Sequence, residues 1–206
     1  MADGAIGVPR ALIECTGSVT AALLLQAVQS RACRQELGPA DPWFELDRAD
    51  LTGSVGLSAW ETECALRALV AGGFVATRCT GSAIELRVMR APDAQRAGFD
   101  TGEPGPDPEA SVGGVAVWRA HTAQAGGVNA GLLLAFVRAE SAATCQENPW
   151  TEGWFALDHA HLEAAICLSR WEADRARLHL RQTGLLQEWR VRQPQVTLVR
   201  ASPDEI

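Results

Sequence analysis

Lysine and tyrosine are absent from the chain of 206 residues, so all 18 basic residues are arginine. This bias indicates the codon usage of a GC-rich genome rather than a function. Long apolar runs are also absent, because the longest, residues 130–137, is much shorter than the roughly 20 residues that a membrane helix needs. The N-terminus lacks the basic start and the apolar core of a signal peptide. We therefore expect a cytoplasmic protein without a membrane partner.

Motifs for catalysis and for metal binding are missing too. The six cysteines stand singly with no CxxC pair, and we interpret them as reduced thiols that are mostly buried. The sequence has no Gly-rich phosphate loop, no GxSxG motif and no Cys–His pair in register. His159 and His161 stand two residues apart at a predicted helix start, where their side chains diverge, and no cysteine lies at zinc spacing. We expect no enzyme, no catalytic residue, no metal and no cofactor.

What the chain does contain is an internal duplication. Three blocks of the first half recur in the second half: 17–28, 43–51 and 57–75 match 126–137, 154–162 and 168–186. The first pair is offset by 109 residues and the other two by 111, because the second copy has two extra residues in the intervening loop. Such agreement across separate blocks predicts two copies of one structural unit.

The segment between the copies, residues 92–114, has a different composition. It holds four prolines, five glycines and five acidic residues against one arginine. Such a composition is typical of a flexible acidic linker rather than a folded element. The predicted organisation is a first domain at 1–91, this linker, a second domain at 115–201 and a tail at 202–206.

The clearest single element is the helix predicted at 169–183. Ser169 is placed to cap its first turn, Glu172 stands in the capping-box position, and Gly184 suits the left-handed position after its end. Three apolar residues follow helical spacing and predict one buried stripe: Ala173, Ala176 and Leu180. The matching stretch of the first copy predicts a helix at 58–72.

Each copy is predicted to contain the same succession of elements: a strand or short lead-in, helix 1, a short strand, helix 2, helix 3 and a hairpin. In the first copy these are 11–15, 19–35, 43–46, a helix capped by Asp47, 58–72 and 74–89. In the second copy they are 115–120, 128–142, 154–157, a helix capped by Asp158, 169–183 and 185–200. The predicted class is α+β and mainly α.

This succession resembles the winged-helix domains of phage and plasmid replication or regulatory proteins. The resemblance lies in a W-F-x-L strand motif followed by L-S-x-W-E at the start of helix 3 and a glycine at its end, and it occurs in both copies. It implies two winged-helix domains that arose by duplication. It also implies that helix 3 is the recognition helix, which enters the major groove, and that the hairpin contacts the DNA backbone or the minor groove.

The distribution of charge favours the second copy as the one that binds DNA. The whole chain is acidic, with a net charge of −7, which disfavours non-specific DNA binding. Residues 168–200, however, hold seven arginines and three acids, a net charge of +4. The equivalent residues 57–90 hold four arginines and three acids, a net charge of +1. Because phosphate contacts supply much of the affinity for DNA, we expect the second copy to make them.

The candidate DNA-binding residues are on helix 3 and the hairpin of that copy: Ser169, Arg170, Arg175, Arg177, Arg181, Arg190 and Arg192. Arg170 and Arg175 can contact guanine edges, and the alternative is that they pair with nearby acids at helical spacing, Glu172 and Asp174. Arg190 and Arg192 alternate along a hairpin strand, so both are predicted to face the phosphates. In the first copy, Ala59 and Cys64 replace Arg170 and Arg175.

The tryptophans, unlike the arginines, are predicted to pack within the protein rather than to contact DNA. Trp60 and Trp171 occupy the same position in the two copies although the neighbouring charges differ, which favours packing against helix 2 or in the core over stacking on DNA. Trp43 and Trp154, each followed by phenylalanine, are predicted to be core residues of the short strand.

Two functions from different classes follow. The first is sequence-specific binding of double-stranded DNA, by a transcription regulator or a plasmid or phage replication or maintenance factor that is associated with the nucleoid when bound. The second is an acidic protein-interaction subunit that resembles the accessory subunits of chromosome-organising complexes, with a protein partner and a homodimer. The aliphatic helix 1 segments could form such an interface, although a domain core is the simpler explanation.

Overall fold

The structure, a computed structural model, describes residues 5–34, 43–45, 55–80, 83–89, 114–191 and 196–202. The fold is α+β and mainly helical, as predicted. The chain divides into an N-terminal unit, Gly4–Ala116, and a C-terminal unit that begins at Val117. Four predictions lie wholly or largely outside the described residues: helix 2 of the first copy with its cap Asp47, the linker as far as residue 113, Arg192, and the tail after Ser202.

The N-terminal unit contains β1 (Ala5–Pro9), α1 (Arg10–Thr16), α2 (Val19–Arg34), β2 (Phe44–Glu45), α3 (Ala59–Ala71), β3 (Val75–Thr80) and β4 (Ala83–Val88). Strand β5 (Gly114–Trp118) begins in this unit, and it forms a two-stranded sheet with β1. The C-terminal unit continues with α4 (Arg119–Ala125), α5 (Val128–Glu147), a 3-10 turn (Pro149–Thr151), β6 (Phe155–Ala156), α6 (His159–Ile166), α7 (Arg170–Gln182), β7 (Leu186–Val191) and β8 (Val196–Ala201).

Each unit has a three-stranded antiparallel sheet with the same strand order. The orders are β2–β4–β3 and β6–β8–β7, so the last strand of each copy lies in the centre. The registers also correspond, since Phe44 lies opposite Leu86 and Phe155 lies opposite Val199. The predicted short strands and hairpins are therefore present in both units.

The opening segments differ from the prediction. Residues 11–15 are helical and belong to α1, and residues 115–120 are split between β5 and the first turn of α4. Each short helix ends at a glycine with positive φ, Gly17 at 81° and Gly126 at 72°. A helix of seven residues is too short to establish a hydrophobic periodicity in the sequence, which is why both were missed.

The aliphatic helices α2 and α5 form the cores of their units. Their central side chains are buried: Leu23, Leu24, Leu25 and Val28 in the first copy, and Leu132, Leu133, Leu134 and Val137 in the second. Helix α5 packs against α4, α7 and β8. The simpler explanation of these apolar segments, a domain core, is confirmed, and they are not available as an exposed interface.

The capping pattern predicted for helix 3 is confirmed in both copies. The backbone N–H of Ser169 donates to Glu172 Oε2 at 3.0 Å, and the N–H of Glu172 donates to Ser169 Oγ at 3.4 Å. Ser58 and Glu61 form the same capping box in α3. Gly184 follows α7 with φ of 78°, the left-handed conformation expected of it.

The turn between α6 and α7 holds a residue in an unfavourable conformation. Cys167 has φ of 54°, whereas the equivalent Gly56 of the first copy has φ of 76°. A side chain in the left-handed region costs about 1–2 kcal/mol, partly offset by the extra freedom of glycine in the unfolded chain. We therefore expect Cys167→Gly to raise the free energy of unfolding by about 0.5 kcal/mol, and Gly56→Ala to lower it by about 1 kcal/mol.

Calorimetric unfolding of the full chain measures both effects. Cys145→Ala removes a thiol from an exposed helical position and should change stability by no more than about 0.5 kcal/mol. A loss of stability in Cys167→Gly would show that this backbone conformation is not strained.

Candidate nucleic-acid interface

Helix α7 has one buried stripe and one exposed, arginine-rich face. Ala173, Ala176 and Leu180 are buried, as predicted. Arg170 and Arg175 are both exposed, and they flank Trp171 in the first half of the helix. Arg170 makes no hydrogen bond or ion pair with any residue that the structure describes. Its guanidinium thus projects into solvent at the N-terminal end of the helix.

Trp171 is on this exposed face, which contradicts the core position, one of the two packing positions predicted for it. Its side chain is 56% exposed, and the Cζ atom of Arg175 lies 5.0 Å from its ring centroid. Trp60, at the same position of α3, is 41% exposed. The reason is geometric. Residue 171 is two positions before the buried Ala173, and side chains two positions apart on a helix point in nearly opposite directions.

Trp43 and Trp154 are half-buried beside the short strands, not core residues as predicted. Arginines of the hairpin strands lie over both rings, with Arg87 Cζ at 4.9 Å from the ring of Trp43 and Arg200 Cζ at 4.7 Å from that of Trp154. The indole of Trp189 contacts Trp154 edge to face at 6.3 Å. Because strand residues alternate between faces, Trp43 beside the buried Phe44 points to the outer surface of the sheet, and Trp154 beside the half-buried Phe155 does the same.

The acids that stood as alternative partners of Arg170 and Arg175 have other contacts. The carboxylate of Glu172 accepts a hydrogen bond from the Ser169 hydroxyl at 2.6 Å as part of the capping box. Asp174 Oδ1 accepts a hydrogen bond from Arg177 Nη2 at 3.1 Å. Ser169 and Arg177 therefore use their polar groups within the helix itself, whereas Arg170 and Arg175 are exposed, with the guanidinium of Arg175 over the ring of Trp171.

Three of the candidate arginines converge on one buried acid. The side chain of Glu188 on β7 is 4% exposed, and Arg177, Arg181 and Arg190 all approach its carboxylate within 4 Å. We refer to these four residues as the Glu188 cluster. It joins α7 to the hairpin, and it places Arg181 and Arg190 on the same side of the unit as the C-terminal half of α7.

The first copy has no counterpart of this arrangement. The positions equivalent to the exposed arginines of α7 hold Ala59, Cys64 and Val70. Arg67, the one arginine of α3, pairs with Glu63 at 3.0 Å. The two copies thus share a strand order and a tryptophan at the start of helix 3, but they differ in the charge of that helix.

The histidines and cysteines show no metal-binding arrangement within the described part of the chain, where no three potential ligands come together. His161 packs edge-on against Phe136, and His179 Nε2 lies 2.9 Å from the carbonyl oxygen of Ala125. The cysteines were predicted to be mostly buried, which is wrong for the five described. Three are exposed and two are half-buried: Cys15, Cys79 and Cys145, then Cys64 and Cys167.

Among the described helices, none is by itself long and apolar enough to cross a membrane. Helix α1 and the first part of α2 meet that test only together, with a bend of 103° between them. Comparisons with protein-family models, with curated proteins and with solved structures return no match.

Proposed function

We propose that the chain binds double-stranded DNA in a sequence-specific manner through helix α7, as a transcription regulator or a plasmid or phage replication or maintenance factor. The observation that carries this proposal is the exposed face of α7, where Arg170 and Arg175 flank Trp171. Arginine is the side chain that most often contacts guanine bidentately in the major groove.

The arrangement around α7 supports a winged helix-turn-helix in the C-terminal unit. Helix α6 precedes α7 with a turn of three residues, and a hairpin follows directly after Gly184. A short strand before the two helices adds to the hairpin as the third strand. In DNA-binding proteins of this type the second helix of the turn enters the major groove, and the hairpin contacts the backbone.

The spacing of the exposed side chains suits a groove. Trp171 and Arg175 are one turn apart on one line of the helix, and Arg170 and Arg181 share a second line about 80–100° from Trp171 around the axis. Arg175 stands five positions after Arg170, a rise of about 7.5 Å along the helix, which is about two base-pair steps. We therefore assign base contacts to these two arginines and phosphate contacts to Arg181 and Arg190, which lie further along the same surface.

The remaining candidates receive a supporting role. The Ser169 hydroxyl is committed to the capping box, and the side chain of Arg177 is only 18% exposed and bonded to Asp174. Both residues thus fix the position of α7 rather than contact DNA directly.

Selection from a pool of random-sequence duplexes tests the proposal. We expect the full chain to retain duplexes at low salt, to lose most of them at high salt, and to enrich one motif. A footprint on that motif should cover two half-sites about one helical turn apart, whether the two copies or two chains occupy them. The absence of an enriched motif among retained duplexes would contradict specific recognition.

A second candidate function, binding of a protein partner by an acidic tandem winged-helix subunit, rests on the first copy. Helix α3 exposes Trp60 and Val70, and its one arginine is already paired with Glu63. Such a surface is apolar enough to contact protein and too poor in cations to hold phosphates. If the chain retains no duplex even at low salt, affinity capture with wild type and with Trp60→Ala becomes the deciding experiment, and only the wild type should capture the partner.

A further inference from the structure

The Glu188 cluster contains a buried carboxylate among three guanidinium groups. Glu188 Oε1 lies 2.8 Å from Arg190 Nε and 3.5 Å from Arg177 Nη1, and Oε2 lies 3.8 Å from Arg181 Nη1. Removing a carboxylate from water is costly unless it is paired and hydrogen-bonded. The three arginines supply that compensation, and Glu188 in turn fixes their positions.

All four residues of the Glu188 cluster are specific to the second copy. Its four positions, 177, 181, 188 and 190, correspond to four residues of the first copy that carry no charge: Leu66, Val70, Thr77 and Cys79. The first copy forms the same helix and hairpin without them, so the fold does not require the cluster. The cluster therefore serves the function of the second copy, as we infer for the exposed arginines of α7 that also distinguish this copy.

The charges of the cluster do not cancel. The cluster has one acid and three arginines, and even with Asp174, which also contacts Arg177, only two negative charges face three positive ones. The closest atom pairs join Glu188 to Arg181 at 3.8 Å and to Arg190 at 2.8 Å, and these two arginine side chains are 47% and 68% exposed. A guanidinium group has five N–H donors, so side chains exposed to this extent offer donors to solvent as well as to Glu188. This exposed pair, one from the helix and one from the hairpin, suits a single oxyanion such as a backbone phosphate.

We propose that Glu188 is a positioning residue that holds Arg181 and Arg190 ready for a phosphate of the duplex backbone, an inference that rests on the proposed DNA binding. Long arginine side chains lose conformational freedom on binding, and a partner that orders them beforehand lowers that cost. Glu188 is thus an acid that strengthens the binding of a polyanion, although its own charge opposes it.

One substitution tests this role, because charge and positioning predict opposite changes in its affinity for DNA. Glu188→Gln makes the chain more positive by one charge, so charge alone predicts tighter binding to DNA. Positioning predicts the opposite: we expect Glu188→Gln to bind every duplex about fivefold more weakly or worse, without a change in the selected motif. Glu147→Gln is the matched control, because it changes the charge equally at an exposed position of α5; it should bind as tightly as wild type or slightly tighter.

A second variant keeps the test valid if Glu188→Gln unfolds the C-terminal unit, which its thermal unfolding curve will reveal. Arg190→Ala changes an exposed side chain, and we expect it to weaken binding to all sequences and to reduce the slope of log K against log salt by about 1. The inference is overturned if folded Glu188→Gln binds as tightly as Glu147→Gln, or if Arg190→Ala leaves the salt slope unchanged. In both cases the wild type still binds duplex, whereas a wild type that binds no duplex at all overturns the proposed function.

Discussion

The double variant Arg170→Ala, Arg175→Ala should bind the selected duplex about 30-fold more weakly than wild type, or weaker still. Each arginine that contacts a guanine contributes about 1–3 kcal/mol of discrimination, and two such losses add when the contacts are on different base pairs. The affinity for a scrambled duplex should fall much less, because only phosphate attraction is reduced there. The ratio of the two affinities, measured by titration of labelled duplexes, is therefore the informative quantity.

The matched control for this variant is Arg119→Ala, Arg138→Ala, which removes two arginines of α4 and α5 from outside helix 3 of both copies. It lowers the net charge by the same amount, so it should leave the ratio for selected over scrambled duplex unchanged. If both double variants reduce the affinity for the selected duplex equally, the effect is one of total charge, and α7 is not the recognition helix.

Leu180→Ala should destabilise the C-terminal unit by about 2–5 kcal/mol. Leu180 is fully buried, at the end of the stripe that holds α7 against α5. Truncation removes the transfer free energy of its side chain and leaves a cavity, since neighbouring elements relax only partly. Calorimetry of the full chain should show the unfolding transition of the C-terminal unit at a lower temperature.

Leu178→Ala provides the control on the same helix. Leu178 is one of the exposed apolar residues, and its truncation should change the free energy of unfolding by about 0.5 kcal/mol or less. If Leu178→Ala is as destabilising as Leu180→Ala, the helix presents a different face to the core than the one described. The exposed positions of Arg170 and Arg175 would then need revision.

The order of helices and strands was largely predictable, because the residues that begin and end each helix 3 can be recognised from the local sequence. The serine caps, the glutamates three residues later and the glycines after each helix 3 act within a few residues, and each was found where expected. The duplication also gave two sequences from which each element could be predicted. The short helices α1 and α4 were missed, because tertiary contacts rather than periodicity stabilise a helix of two turns.

The candidate site was predictable only in part. The arginines of α7 could be identified from their number, but sequence could not tell that Arg177 is paired while Arg170 projects outward. Trp171 was misplaced because its presence in both copies is equally compatible with a shared core and a shared surface. Glu188 was missed altogether, since the burial of its carboxylate depends on how the hairpin folds back onto α7.

The specificity of the wild-type chain for its selected duplex is the most direct test of the central claim. Affinities for this duplex and for a scrambled duplex of equal length should be measured at two salt concentrations. We expect the selected duplex to bind about a thousandfold more tightly or better, with both affinities falling steeply as salt rises. Equal affinities for the two duplexes, or binding that salt does not weaken, would contradict recognition of DNA by α7.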